Sequence, residues 1–92
     1  MDQVLLDNNI ITIFGTHWCG DCSWVRRYFD NQHIPYNWVD IDKDESGEEF
    51  VITTNRGMRS VPTIVFFDGS ILVEPSTIEL QAKLGSILPA GQ

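Results

Sequence analysis

Apolar residues in this chain fall in short clusters separated by polar or Gly/Pro punctuation, and the spacing inside each cluster predicts its conformation. Ile10-Ile11-Thr12-Ile13-Phe14 is apolar, rich in β-branched residues, too short for a typical helix and closed by Gly15-Thr16, so it reads as a buried strand. Beyond Cys22, the residues Val25, Tyr28, Phe29 and Gln32 recur at i, i+3, i+4 and i+7, with Arg26, Arg27, Asp30 and Asn31 on the other side. That is the pattern of an amphipathic helix, with Cys19 at its start. His33-Ile34-Pro35 halts it, because proline disfavours helix for the residue before it. Tyr36 to Ile41 then reads as a second strand. Strand, helix and strand joined in this way imply a right-handed parallel crossover with the helix on one face of the sheet.

Asp42 to Gly47 is a polar turn, and Ser46 to Asn55 a helix whose Glu48 and Glu49 suit its first turn despite the β-branched Ile52-Thr53-Thr54. Arg56 to Ser60 forms a loop leading to Val61-Pro62. Thr63 to Phe67 is a strand, Asp68-Gly69 a hairpin turn, and Ser70 to Val73 returns antiparallel. Ser76-Thr77-Ile78-Glu79 is a capping box, and Leu80, Leu84, Ile87 and Leu88 give the helix that follows its buried stripe. Gly85 within that helix costs about 1 kcal/mol relative to alanine. Residues 1–9 read as a polar lead turning at Asn8-Asn9, and Leu88-Pro89-Ala90-Gly91 ends the domain. The sum is β-α-β-α-β-β-α, an α/β domain with a mixed four-stranded sheet flanked by helices, spanning 1–92 with its core at 10–88.

Composition narrows the function. Ninety-two residues make one domain with a modest core, and a net charge of -7 argues against nucleic acid or an anionic membrane as partner. No apolar segment approaches the roughly 20 residues of a membrane span, and Met1 to Asp7 lacks a basic start and long apolar centre, so a cytoplasmic location is expected. The two cysteines, Cys19 and Cys22, form a C-x-x-C where strand passes into helix. A disulfide closing so short a loop contributes at most about 2 kcal/mol, and in a reducing compartment such a pair points to redox or metal chemistry. Unpaired N–H groups and the positive end of the helix dipole favour an anion at Cys19, whereas Cys22, one turn inward, is better placed to resolve than to attack. Gly20 leaves Cys19 open to substrate. His33 lies about 21 Å further along a helix and cannot complete a metal site with the cysteines in one chain, so no metal is expected.

Thr16-x-Trp18-Cys19-Gly20-x-Cys22, Arg59-Ser60-Val61-Pro62 before the third strand, and Asp68-Gly69-Ser70 followed by Pro75-Ser76 together resemble the glutaredoxin form of the thioredoxin fold, in particular its mycoredoxin-type members. The resemblance spans residues 10 to 88. It implies a thiol-disulfide oxidoreductase in which Cys19 attacks a disulfide and either Cys22 or a second thiol releases the product. It implies a cis bond at Pro62 that presents the Val61 backbone to an extended substrate, and Trp18 as an exposed wall beside Cys19. Arg59 would meet a substrate carboxylate, with Ser76 and Thr77 offering backbone N–H groups; a surface arginine balancing an acidic chain is the plainer alternative. His17 and Asp21 are placed to tune the Cys19 thiolate, Asp21 opposing the helix terminus, though each also reads as an ordinary solvated side chain. Trp24 and Trp38 read as core.

The resemblance implies no tightly bound cofactor. Mycothiol or glutathione would be the co-substrate, or a thioredoxin-reductase-type flavoprotein the electron donor, acting on disulfide-containing proteins, with the chain a monomer. Three features depart from relatives: Ile13 replaces the buried aspartate of thioredoxins, Glu74-Pro75-Ser76-Thr77 the Gly-Gly and acid of glutathione-using members, and Thr16 a frequent basic residue. Two other classes remain open: a carrier of an iron-sulfur cluster through Cys19 at a dimer interface, and a binding module with incidental cysteines.

Overall fold

The structure, a computed structural model, describes residues 10–88; the expected lead at residues 1–9 and the closing Pro89-Ala90-Gly91 lie outside them. Strand β1 (Ile11–Gly15) is buried at every position. The reason is its place in the sheet, whose order is β2-β1-β3-β4. Strand β2 (Tyr36–Asp40) pairs parallel to it, Ile11 opposite Tyr36 and Gly15 opposite Asp40. Strand β3 (Thr63–Val65) pairs antiparallel on the other side, Ile13 opposite Ile64, and β4 (Ile71–Val73) closes the sheet against β3. A central strand covered on both faces has no solvent side, hence its continuous apolar run.

Two cores follow from the alternation of side chains along β1. Ile11 and Ile13 join Ile64, Val25 and Phe29 of helix α1 (Gly20–Asn31), and Leu80 and Leu84 of helix α3 (Thr77–Ile87). Phe14 points the other way and joins Ile41, Val65 and Val51 of helix α2 (Glu45–Thr54). Helices therefore lie on both faces, as the α/β expectation required. Trp24 and Trp38 pack against the first core, and Ile87 and Leu88 complete the stripe of α3 as half-buried residues.

Several boundaries move for local reasons. Asp44 caps α2 by accepting the Gly47 N–H at 2.8 Å, so that helix begins at Glu45 and takes Glu45 and Glu48 into its first turn. Helix α1 ends before Pro35 acts: His33 adopts a left-handed φ of 58°, and the Ile34 N–H returns to the Phe29 carbonyl at 2.9 Å. Gln32, expected on its buried side, is the exposed C-cap. The last hairpin is wider than the Asp68-Gly69 pair suggested. Gly69 donates to Phe66 at 2.8 Å and Phe66 to Ser70 at 2.9 Å, which leaves three loop residues with Gly69 at φ 89° and shortens β3 to three.

Candidate functional site

Cys19 is the N-cap of α1, with extended backbone (φ -84°, ψ 121°) and a sulfur that accepts the Cys22 N–H at 3.3 Å. It stands where serine or aspartate usually caps a helix, so negative charge on Sγ is met by a peptide donor and by the helix dipole. As a thiol the same sulfur points toward the Val61 carbonyl at 3.9 Å. Cys19 is half-buried, whereas Cys22 is 1 % exposed. Burial pushes the Cys22 thiol up to about 12, helped by its contact with Cys19 and the charges of Cys19 and Asp21, while a backbone contact from Thr16 works against the rise. At neutral pH Cys22 keeps its proton, and the sulfur open to solvent is that of Cys19. Gly15 makes room for this arrangement: a Cβ there would lie 2.5 Å from Cys22 Sγ.

The loop that carries Val61 lies against this sulfur, and hydrogen bonds tie other segments to that loop and to the neighbouring Trp18. The cis Val61-Pro62 bond sits in a loop tied down by Thr63, whose hydroxyl donates to the Ser60 carbonyl at 2.8 Å and accepts from Asn55 Nδ2 at 3.1 Å. The Glu74 N–H donates to the Pro62 carbonyl at 2.9 Å and brings the entry to α3 alongside. Trp18 is 65 % exposed, yet its indole N–H is anchored to Asp42 Oδ2 at 2.7 Å. Arg59 reaches the same carboxylate through Nη2 and Glu48 Oε2 through Nε at 2.7 Å. Hydrogen bonds from Arg59 and Trp18 hold the Asp42 carboxyl below the usual range, and Glu48 and Asp42 together push the Arg59 guanidinium further up. His17 Nδ1 lies 3.5 Å from Asp40 Oδ2.

Sequence reasoning brought Trp18, Cys19, Cys22, Val61 and Pro62 to one place, and the structure gathers them. Asp21 is an exposed first-turn residue of α1, and His17 is turned to Asp40. Two expected anchors are engaged within the chain. Arg59 holds two of its own carboxylates, and the Ser76 N–H donates to Glu79 Oε1 at 2.8 Å within the capping box, beside Thr77. Asp42 and Glu48 are the residues the sequence did not single out. Asp42 lies 24 residues from Trp18 in an ordinary polar turn, and no periodicity marks such a contact. Among the described residues no group of three or more His, Cys, Asp or Glu is gathered as a metal site, and no helix is long and apolar enough to cross a membrane.

The glutaredoxin family model matches residues 11–72. A Mycobacterium tuberculosis protein provisionally named a glutaredoxin is 43 % identical over 77 residues, 84 % of this chain and 92 % of its own length. Mycoredoxin 1 of Corynebacterium glutamicum is 35 % identical over 77 residues, 84 % of this chain and 95 % of its own. Among solved structures, a thioredoxin-like protein variant superposes with a TM-score of 0.73 at 23 % identity, covering 82 % of this chain and 94 % of that one.

Proposed function

The chain belongs to the glutaredoxin family, a family of thiol-disulfide oxidoreductases, and we propose that Cys19 attacks and Cys22 resolves disulfides that proteins form with each other or with a low-molecular-weight thiol of the mycothiol type. The observation that carries this reading is the Cys19 sulfur at the N-cap of α1, half-open to solvent, with a protonated, buried Cys22 one turn behind it. The Cys19 thiolate attacks one sulfur of the substrate disulfide, a new S–S bond forms, and the other sulfur leaves as a thiolate that takes a proton. Cys22 then passes its proton to the departing thiol and attacks Cys19 Sγ, leaving a Cys19-Cys22 disulfide. Two external thiols reduce that disulfide and become oxidised in turn.

In this reading Trp18 and the Val61 backbone are walls for the substrate segment, with Ser76 and Thr77 following Glu74, whose N–H donates to the Pro62 carbonyl. Similarity to a protein named mycoredoxin favours mycothiol over glutathione as co-substrate. A monomer in the cytoplasm, needing no bound cofactor, suits this chemistry. The cluster-carrying alternative gains no support from the comparisons. To test the reading, the oxidised protein is given mycothiol, glutathione or a flavoprotein thioredoxin reductase separately, and its reduction is followed. Mycothiol is expected to act fastest. Cys19→Ser should abolish turnover of a protein mixed disulfide, and Cys22→Ser should retain the first attack; turnover that survives Cys19→Ser refutes the assignment.

A further inference from the structure

Arg59 is the cation that the sequence offers to a substrate carboxylate, and in the fold it is already occupied. Its Nη2 meets Asp42 and its Nε meets Glu48 at 2.7 Å, so two of the three guanidinium nitrogens face the chain's own acids and the cluster carries a net negative charge. The same Asp42 takes the indole N–H of Trp18, the residue next to Cys19, which links this cluster to the reactive end of α1. At the second place where an anion was expected, the start of α3, an acid of the chain is likewise present: the Ser76 N–H is taken by the Glu79 carboxylate. A thiol that carries free carboxylates would have to displace these acids and then sit among them. A neutral thiol pays neither cost.

We infer that Asp42 and Glu48 are specificity-determining residues, which by holding Arg59 between them select against low-molecular-weight thiols bearing free carboxylates. The inference rests on the oxidoreductase reading above and adds the means by which the co-substrate is chosen. Asp42→Asn keeps an oxygen to accept the Trp18 N–H while removing the charge, and Glu48→Gln does the same at the other edge of Arg59. Together they open the guanidinium to an outside carboxylate without releasing the indole.

The test uses one peptide carrying a mixed disulfide with glutathione, which has two carboxylates, or with 2-mercaptoethanol, which has none. The ratio of the two kcat/KM values is measured for each protein. For an exposed ion pair made anew with substrate, the ratio should rise about fivefold in Asp42→Asn/Glu48→Gln, and by roughly half of that on a logarithmic scale in Glu48→Gln alone. Adding Arg59→Gln should lower the raised ratio, whereas Arg59→Gln by itself, which leaves Asp42 and Glu48 without their cation, should not raise it above the wild-type value. Titration with S-methylglutathione, which cannot react, should give a Kd lower by about the same factor in the double variant. A rise of less than roughly twofold in the ratio of the double variant, or a rise on Arg59→Gln alone, overturns the inference while leaving the oxidoreductase intact. Failure of the wild type to reduce either substrate overturns the oxidoreductase reading, and this one with it.

Discussion

Gly15→Ala places a methyl group where the fold has no room, and the structure sets the size of the effect. The added Cβ would lie 2.5 Å from Cys22 Sγ, 2.9 Å from Trp38 Cη2 and 3.1 Å from Trp38 Cζ3. Ordinary contacts between such atoms are about 3.5–4.0 Å, so roughly 1 Å must open on two sides at once. Neither side yields easily. Gly15 is paired to Asp40 and its carbonyl accepts the Ile41 N–H at 2.9 Å, while Cys22 belongs to a helix held by Val25 and Phe29 in the core. Overpacking of this kind costs about 1–3 kcal/mol, and the lower chain entropy of unfolded alanine offsets about 0.4–1 kcal/mol of it. A net loss of about 1–2 kcal/mol corresponds to a fall in Tm of roughly 4–16 °C for a domain of this size. Thermal unfolding of the reduced protein by circular dichroism measures it. Release of product by Cys22 should slow more than the first attack by Cys19, because the displaced sulfur is that of Cys22. A Tm within about 2 °C of the wild type would refute the close approach of Gly15 to Cys22.

Other predictions follow from the same geometry. Because the fold holds the Cys22 proton up to about pH 12 against an ordinary 9.0, the unfolded chain loses that proton first, and stability should fall above about pH 9 by up to about 1.4 kcal/mol per pH unit. Cys22→Ala should flatten this limb in urea titrations at rising pH; an identical limb counts against the burial argument. Lys83, with help from Ser70, holds the Asp68 carboxyl well below its usual range, so the stability it contributes is present above about pH 3.9 and is lost as pH falls. Asp68→Asn should therefore weaken the acid dependence of Tm, and an unaltered acid slope would contradict the pairing. Ser76→Ala removes the Oγ that accepts the Glu79 N–H at 3.1 Å and should cost about 1 kcal/mol in urea unfolding, whereas Ser76→Gly should cost only a few tenths; equal losses would argue against a side-chain cap.

The order of elements was legible because each strand and helix carries its own period, and the capping box at Ser76 and Glu79 states a helix start in four residues. Cys19 was legible for the same local reason, a cysteine at a strand-to-helix join. What escaped the sequence was set by contacts distant along the chain or by backbone conformation. The α1 terminus depends on His33 adopting positive φ, which β-turn statistics assign to glycine or asparagine before histidine. Hairpin width depends on the Phe66 to Ser70 bond, which the Asp68-Gly69 pair alone does not specify. Arg59 reads as a free cation until Asp42 and Glu48 fold against it, and nothing in their spacing announces the meeting.

The central claim is that one sulfur, at the cap of α1, is the reactive one. It is tested by treating the fully reduced protein with a limiting amount of iodoacetamide at neutral pH and mapping the product by mass spectrometry. The account predicts a single adduct, on Cys19, before any on Cys22, because Cys22 is 1 % exposed and keeps its proton. An unmodified Cys19, or labelling of Cys22 at an equal rate, would contradict it.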